Sequence, residues 1–303
     1  MSDRAVLSVD FELFEQTPAC RSAAGEPDRR GVGLEGAAFL RESLAAEGAR
    51  ATWFVVGRVA ERHPEPVQAV AAGGHEIGSH GHTHVVLTEL DAAARRAELA
   101  DSRATLRRVT GAPVDGFRAP VFAFGRDHFA ELGAAGYSYD SSVLPSRAIP
   151  GWYDGDYDRH RPVPAARIQD GAPDGLAELP VSVLPGVGLP LTGAWLRFFG
   201  PRYTVLGMRW LARKGIAPVL YVHPWEFVDL PAVDGVPRRV SVRTGEWMRR
   251  ALERVLSSGF EFTTAGAVLD DALSWTSTED GGPPDGDARG GPERGALSGD
   301  GEG

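Results

Sequence analysis

Short apolar, β-branched runs recur along the chain, and most are followed by a stretch with the 3.6-residue period of a helix. The strand-like runs are AVLSV at 5–9, ATWFVV at 51–56, HEIGS at 75–79, GFRAP at 116–120, ELPVSVL at 178–184, APVLYVH at 217–223 and FEFTT at 260–264. Among the helical patterns, LEGAAFLRESLAAEG places Leu34, Ala38, Leu40 and Leu44 roughly on one face and stops at a glycine. TELDAAARRAELADSRATLRRVTG reads as a long amphipathic helix, capped by Thr88 or Asp91 and ended by Gly111. Further helical patterns cover 126–135, 201–214, 244–258 and 264–274. Strand then helix, repeated, predicts an α/β fold built on a parallel sheet or barrel.

Two regions break the rhythm. Residues 145–175, rich in Pro, Gly, Asp and Arg, show neither period and predict long surface loops or an insertion near the active face. From 276 to 303 the sequence is dominated by Gly, Pro and Asp and is expected to be disordered, leaving 1–275 as the folded domain. An apolar fraction of 43% and a charged fraction of 24% are ordinary for a soluble globular protein. The net charge of -9 argues against nucleic acid as a partner. Cys20 is the only cysteine, so no internal disulfide can form. The first strand-like run begins almost at once, without the apolar segment of a secretory leader, and no stretch approaches the ~18 apolar residues of a spanning helix. A cytoplasmic setting is the expectation.

Four of the eight histidines, His75, His80, His82 and His84, fall within GGHEIGSHGHTHVVL at 73–87. Neutral imidazole is the commonest protein ligand for zinc and its relatives, so the cluster points to a metal. On a helical turn the i, i+4 pair His80 and His84 would converge, whereas on an extended strand His80, His82 and His84 would. Gly81, after a strand ending near Ser79, favours the turn. His80 and His84 are then the ligand pair, His82 points elsewhere, Thr83 hydrogen-bonds within the loop, and His75 is structural. The first strand ends in SVDFE, whose Asp10 and Glu12 share a strand face. One acid can bind metal while the other takes a proton from water. His223 follows the apolar APVLYV, at the strand end where barrel enzymes keep their sites.

SVDFE, SHGHTH, FRAP, YDSS and LYVHPWEF occur in the order and spacing of the polysaccharide deacetylases of the NodB-homology type. The chain resembles that family over about residues 4 to 270, and YDSSVLP and HPWEF are most similar to the branch found with bacterial exopolysaccharide and exosortase loci. The resemblance implies a distorted (β/α)7-type barrel and one divalent metal ion, zinc first, with nickel, cobalt or iron suited to the same donors. It implies Asp10 as catalytic base and Glu12, His80 and His84 as metal ligands. The family's first motif usually has two adjacent aspartates, so Asp10 and Glu12, separated by Phe11, are a departure that matches relatives with an acid-x-acid arrangement. Arg118 would orient the base, Pro120 belongs to the same motif, and the backbone N–H of Val121 would face the oxyanion. His223 would be the general acid, with Leu220 shaping the acetyl pocket and Trp225 beside the substrate.

What the resemblance implies is metal-dependent hydrolysis of an N-acetylated, or O-acetylated, saccharide with release of acetate. The implied partner is that saccharide; the oligomeric state stays open. The Gly- and Pro-rich segment 180–200 is expected to line the sugar groove, with Trp195 and Arg197 offering stacking and hydrogen bonds. Two rivals are weighed. An inactive sugar-binding or regulatory homologue would not need Asp10 and His223. A different metallohydrolase acting on a non-peptide C–N bond, such as an amidohydrolase, would want its histidine pair on the first strand.

Overall fold

A computed structural model describes residues 4–23, 31–149, 157–184, 186–230 and 233–276. The predicted disordered tail, from 277 onward, and residues 150–156 of the predicted loop region lie outside them. The strands are β1 (Arg4–Phe11), β2 (Thr52–Val55), β3 (Glu76–Ser79), β4 (Gly116–Phe117), β5 (Tyr139–Asp140), β6 (Val163–Pro164), β7 (Ala177–Glu178), β8 (Val183–Leu184), β9 (Leu189–Pro190), β10 (Val219–Val222) and β11 (Glu261–Thr263). The first helices are α1 (Pro18–Arg21), α2 (Leu34–Ala46), α3 (Gly57–Arg62), α4 (Pro64–Ala72), α5 (Ala92–Thr110) and α6 (His128–Ala134). The remaining ones are α7 (Gly193–Phe199), α8 (Pro201–Arg213), α9 (Arg238–Ser241), α10 (Glu246–Leu256) and α11 (Ala265–Thr276).

The main sheet runs in the order β10-β1-β2-β3-β4-β5-β7-β6, and β11 also pairs with β1. Every pairing from β10 to β7 is parallel, and only the short edge strand β6 runs antiparallel. The result is the curled, distorted (β/α)7-type barrel that the sequence predicts. The described residues of 145–175 contribute the edge strand β6 and a 3-10 turn at Ala165–Arg167, set among loops.

The period of two along β1 decides what reaches the centre. Ala5, Leu7, Val9 and Phe11 pack outward into the large core with Leu40 and Leu44 of α2. Val6 joins Phe54, Tyr139 and Val219 in a second cluster inside the curl. Ser8 and Asp10 share that inward parity, so the strand that builds the core also delivers an acid to its C-terminal end.

The predicted strand 178–184 is split: Ala177–Glu178 joins the main sheet, whereas Val183–Leu184 forms a hairpin with β9. Pro180 lies between them and has no N–H for a ladder. Helices α3 and α4 escape the sequence pattern because Pro64, the first residue of α4, divides the segment into two short pieces. Asp91, one of the two predicted caps, accepts the Ala94 N–H at 2.8 Å, and Gly111 closes α5 at φ 68°.

Candidate active site and metal centre

Four parallel strands end at one cleft of about 580 Å³. Asp10 is the penultimate residue of β1, His80 follows β3, Arg118 follows β4 and His223 follows β10. After β3 the chain turns through two left-handed residues, Gly81 at φ 74° and His84 at φ 60°. Glycine accepts that conformation freely, and the turn folds His84 back beside His80 with ring centroids 4.9 Å apart. Glu98 of α5 accepts the N–H and hydroxyl of Thr83, and Arg21 of α1 donates to the carbonyls of Thr83 and His84. Thr83 therefore bonds to a helix outside its loop. His82 points away, 3.7 Å from Glu61, and His75 is buried with Nδ1 accepting the Ala51 N–H.

Glu12, His80 and His84 bring one ligand atom each to within 4.8 Å of one another. His80 Nδ1 lies 2.8 Å from the Arg118 carbonyl and His84 Nδ1 lies 3.1 Å from the Gln16 carbonyl. A carbonyl only accepts, so each Nδ1 carries a proton and each Nε2 keeps its lone pair in the neutral ring. His84 Nε2 then faces Glu12 Oε2 at 2.7 Å, a buried oxygen without a hydrogen-bond donor, and a cation relieves that opposition. Burial lowers the pKa of His80 to about 4, against the opposing pull of Asp10, so its imidazole is neutral as a ligand requires. Burial would raise the Glu12 carboxyl, but positive charge on the surrounding imidazoles, His84 foremost, then His223 and His80, reverses this and holds it at about 2; with the imidazoles neutral, a bound cation would supply that charge in their place. The two imidazoles and one carboxylate suit a divalent transition metal.

Asp10 stands just outside that trio. Its Oδ1 accepts from Arg118 Nη1 at 2.7 Å, and its Oδ2 lies 3.9 Å from His80 Nε2. Arg118 is fully buried: Nη1 also donates to Ser8 Oγ, Nε to the Ser141 carbonyl and Nη2 to Ser141 Oγ. The YDSS motif thus acts as a cradle for the arginine. Ser142 Oγ accepts a hydrogen bond from the Ala119 N–H and donates one to Asp140 Oδ1.

On the opposite wall His223 lies 3.7 Å from Glu12 Oε1 and stacks on Trp225 at 4.8 Å. Trp225 lines the cleft and donates Nε1–H to Glu12 Oε1 at 3.1 Å, so it serves the carboxylate directly. Glu226 Oε2 receives the His223 N–H at 2.9 Å and lies 3.4 Å from its Nδ1. Arg197 holds Glu226 at 2.9 Å. Burial would lower the pKa of His223, but the hydrogen bond and charge of Glu226, with Glu12 and Asp10, outweigh it and raise the value. The site therefore favours a protonated, donating imidazole.

Several expected substrate contacts take other places. Leu220 is fully buried within β10 and lies outside the cleft lining; its neighbour Tyr221 lines it. Pro120 is buried behind Val121, which lines the cleft at φ 51°, a strained angle for a β-branched residue. Trp195 stacks on Phe199 away from the lining, and Arg197 reaches the cleft with its guanidinium committed to Glu226 and to backbone carbonyls including that of Val240. From the segment 180–200 only Ala194 and Arg197 line the cleft among the described residues. At Gly193, a Cβ would come within 2.0 Å of Glu226, which explains the glycine there. Sequence reasoning missed Gln16, Ser141 and Glu226; Glu226, three residues after His223 inside HPWEF, was the one with a local signal.

The polysaccharide deacetylase model matches residues 38–139, and a domain of unknown function, DUF3473, follows over 141–270. A peptidoglycan deacetylase-like protein of Gibberella zeae is 34% identical over 95 residues, 31% of this chain and 28% of that protein. Matches to the first curated relatives span between 28% and 48% of those proteins. A crystal structure from Mycobacterium smegmatis, described as a polysaccharide deacetylase, superposes with TM-score 0.58 at 24% identity over 90% of this chain and 92% of that one. The Puue allantoinase structure reaches the same TM-score at 18% identity, over 90% and 91% of the two chains. The first family match carries His80, His84 and Arg118, the second carries His223, and β1 adds Asp10 and Glu12 to the same cleft. Residues 38–139 thus match the polysaccharide deacetylase family, and the chain shares its fold with a structure described in those terms.

Proposed function

We propose that this chain is a metal-dependent hydrolase that removes acetyl groups from an N-acetylated saccharide of exopolysaccharide type. The observation that carries the reading is the convergence of Glu12, His80 and His84 beside the Arg118-held Asp10, with His223 across the cleft. A divalent ion, zinc foremost, held by Glu12, His80 and His84 would supply Lewis-acid polarisation of the acetyl carbonyl and a more acidic water. Asp10 accepts the proton of the attacking water, its carboxylate aimed by Arg118. The backbone of Val121 supports the oxyanion, and His223, held by Glu226, returns a proton to the departing amine. Acetate and a free amino sugar are the products. Cys20, buried and the single cysteine of the sequence, suits a reducing cytoplasm, which belongs to the same proposal.

The allantoinase likeness shows the fold alone, and the site can in principle hydrolyse other C–N bonds. The test is acetate release from a panel of N- and O-acetylated oligosaccharides, with allantoin alongside. Release from an N-acetyl amino sugar, lost on chelation and restored by metal, is expected. Turnover of allantoin without any acetate release would replace the saccharide reading.

A further inference from the structure

No acidic residue occurs between Glu178 and Glu226, in a chain that carries 41 of them. The same interval holds Arg197, Arg202, Arg209, Arg213 and Lys214. A chain of net charge -9 therefore contains one long stretch that is purely cationic, and its helix α8 lies at the surface. One side of α8 buries Thr204, Met208 and Leu211 in the fold. The other side exposes Arg202, Leu206, Arg209, Trp210 and Arg213, spaced three and four residues apart, with Lys214 following. Leu206 is 65% exposed and Trp210 45%. Next to them Phe199 is 54% exposed and Val187, in the turn between β8 and β9, 42%. These are four of the six large hydrophobic side chains that are exposed among the described residues. Leu206, Trp210, Tyr203 and Leu184 also border a shallow groove of about 520 Å³.

We infer that α8 and the adjoining β8–β9 turn form a docking face for an anionic lipid surface. A helix that lies in a bilayer interface shows this composition: Trp, Phe and Leu to enter the acyl boundary, and Arg or Lys beside them to meet lipid phosphates. Long Arg side chains keep their charge at the headgroups while their stems cover apolar area. The net negative charge of the chain is repelled by the same surface, which favours an approach that leads with this cationic face. A second copy of the chain fits less well. A twofold contact would set Arg202, Arg209, Arg213 and Lys214 against their own copies with no carboxylate from α8 to neutralise them. No helix among the described residues is long and apolar enough to cross a membrane. Through α7 the face adjoins the cleft: Ala194 lines the cleft, while Trp195 stacks on Phe199, and Phe199 packs on Tyr203 of α8. An acetylated glycan carried on a lipid is the substrate class that such docking would bring near.

The experiment is flotation of the full-length protein with vesicles of phosphatidylglycerol and phosphatidylcholine, compared with phosphatidylcholine alone, at low and high salt. Binding is expected only to the anionic vesicles, and it should weaken as salt rises. A triple variant R202E/R209E/R213E should lose at least about tenfold in partitioning, and a double variant L206S/W210S should lose a similar factor. Both variants change exposed positions, and unchanged circular dichroism with undiminished turnover of a soluble acetylated oligosaccharide separates loss of docking from loss of fold. Equal flotation of wild type and both variants, or a dimer in sedimentation velocity that the same substitutions dissociate, would overturn the inference. Flotation is read without turnover, so its result stands whatever the enzyme proves to hydrolyse.

Discussion

Asp10→Asn should lower turnover by at least about 10³-fold on every substrate, while the protein keeps its metal and its fold. An amide oxygen at the same position still accepts from Arg118 Nη1, so the buried guanidinium is not left without that partner. The amide cannot take up the proton of the attacking water. Metal affinity should persist because Asp10 Oδ2 lies 3.9 Å from His80 Nε2, beside the ligand trio and not within it. Acetate release and isothermal titration with zinc, run on the same sample, separate the two effects. Loss of metal in step with loss of turnover would show that Asp10 is a ligand.

His223→Ala should cost about 10²–10⁴-fold on an N-acetyl amino sugar and much less on an aryl acetate. An amine must be protonated to leave, whereas an aryl oxide departs as its anion. His223 is placed for the first task by its neighbours. Its Nδ1 faces Glu226, its ring lies flat on Trp225, and the acidic groups around it favour the protonated form. The Asp10 variant, in contrast, should be equally poor on both substrates, since water activation is common to them. An equal loss on amide and ester in His223→Ala would withdraw the general-acid role and leave that histidine a positioning residue.

Much of this was legible in the order of residues, for reasons that particular positions make plain. Asp10 was readable because a strand repeats every two residues and β1 keeps that parity as far as Asp10, while Glu12 follows the strand after a tight turn, its N–H bonded to the Asp10 carbonyl. His80 and His84 were readable because Gly81 permits the turn that brings them together. The cradle of Arg118 was not. Ser8, Asp10 and Ser141 come from β1 and from the residue after β5, and only parallel pairing across β2, β3 and β4 brings them together. Trp195 and Arg197 misled for a related reason. A Gly- and Pro-rich segment with an aromatic and a cation suits a sugar groove by composition, yet α7 turns Trp195 toward Phe199 and commits Arg197 to Glu226. Composition records which groups a segment holds and says nothing of which buried partner claims them first.

The central claim is that Glu12, His80 and His84 form one metal centre, and metal content measures it most directly. Elemental analysis of the purified protein should give one divalent ion per chain. That ion should be lost, or bound at least about tenfold more weakly, in Glu12→Ala, His80→Ala and His84→Ala, and retained in His82→Ala. Metal loss in His82→Ala with none in His84→Ala would contradict the account.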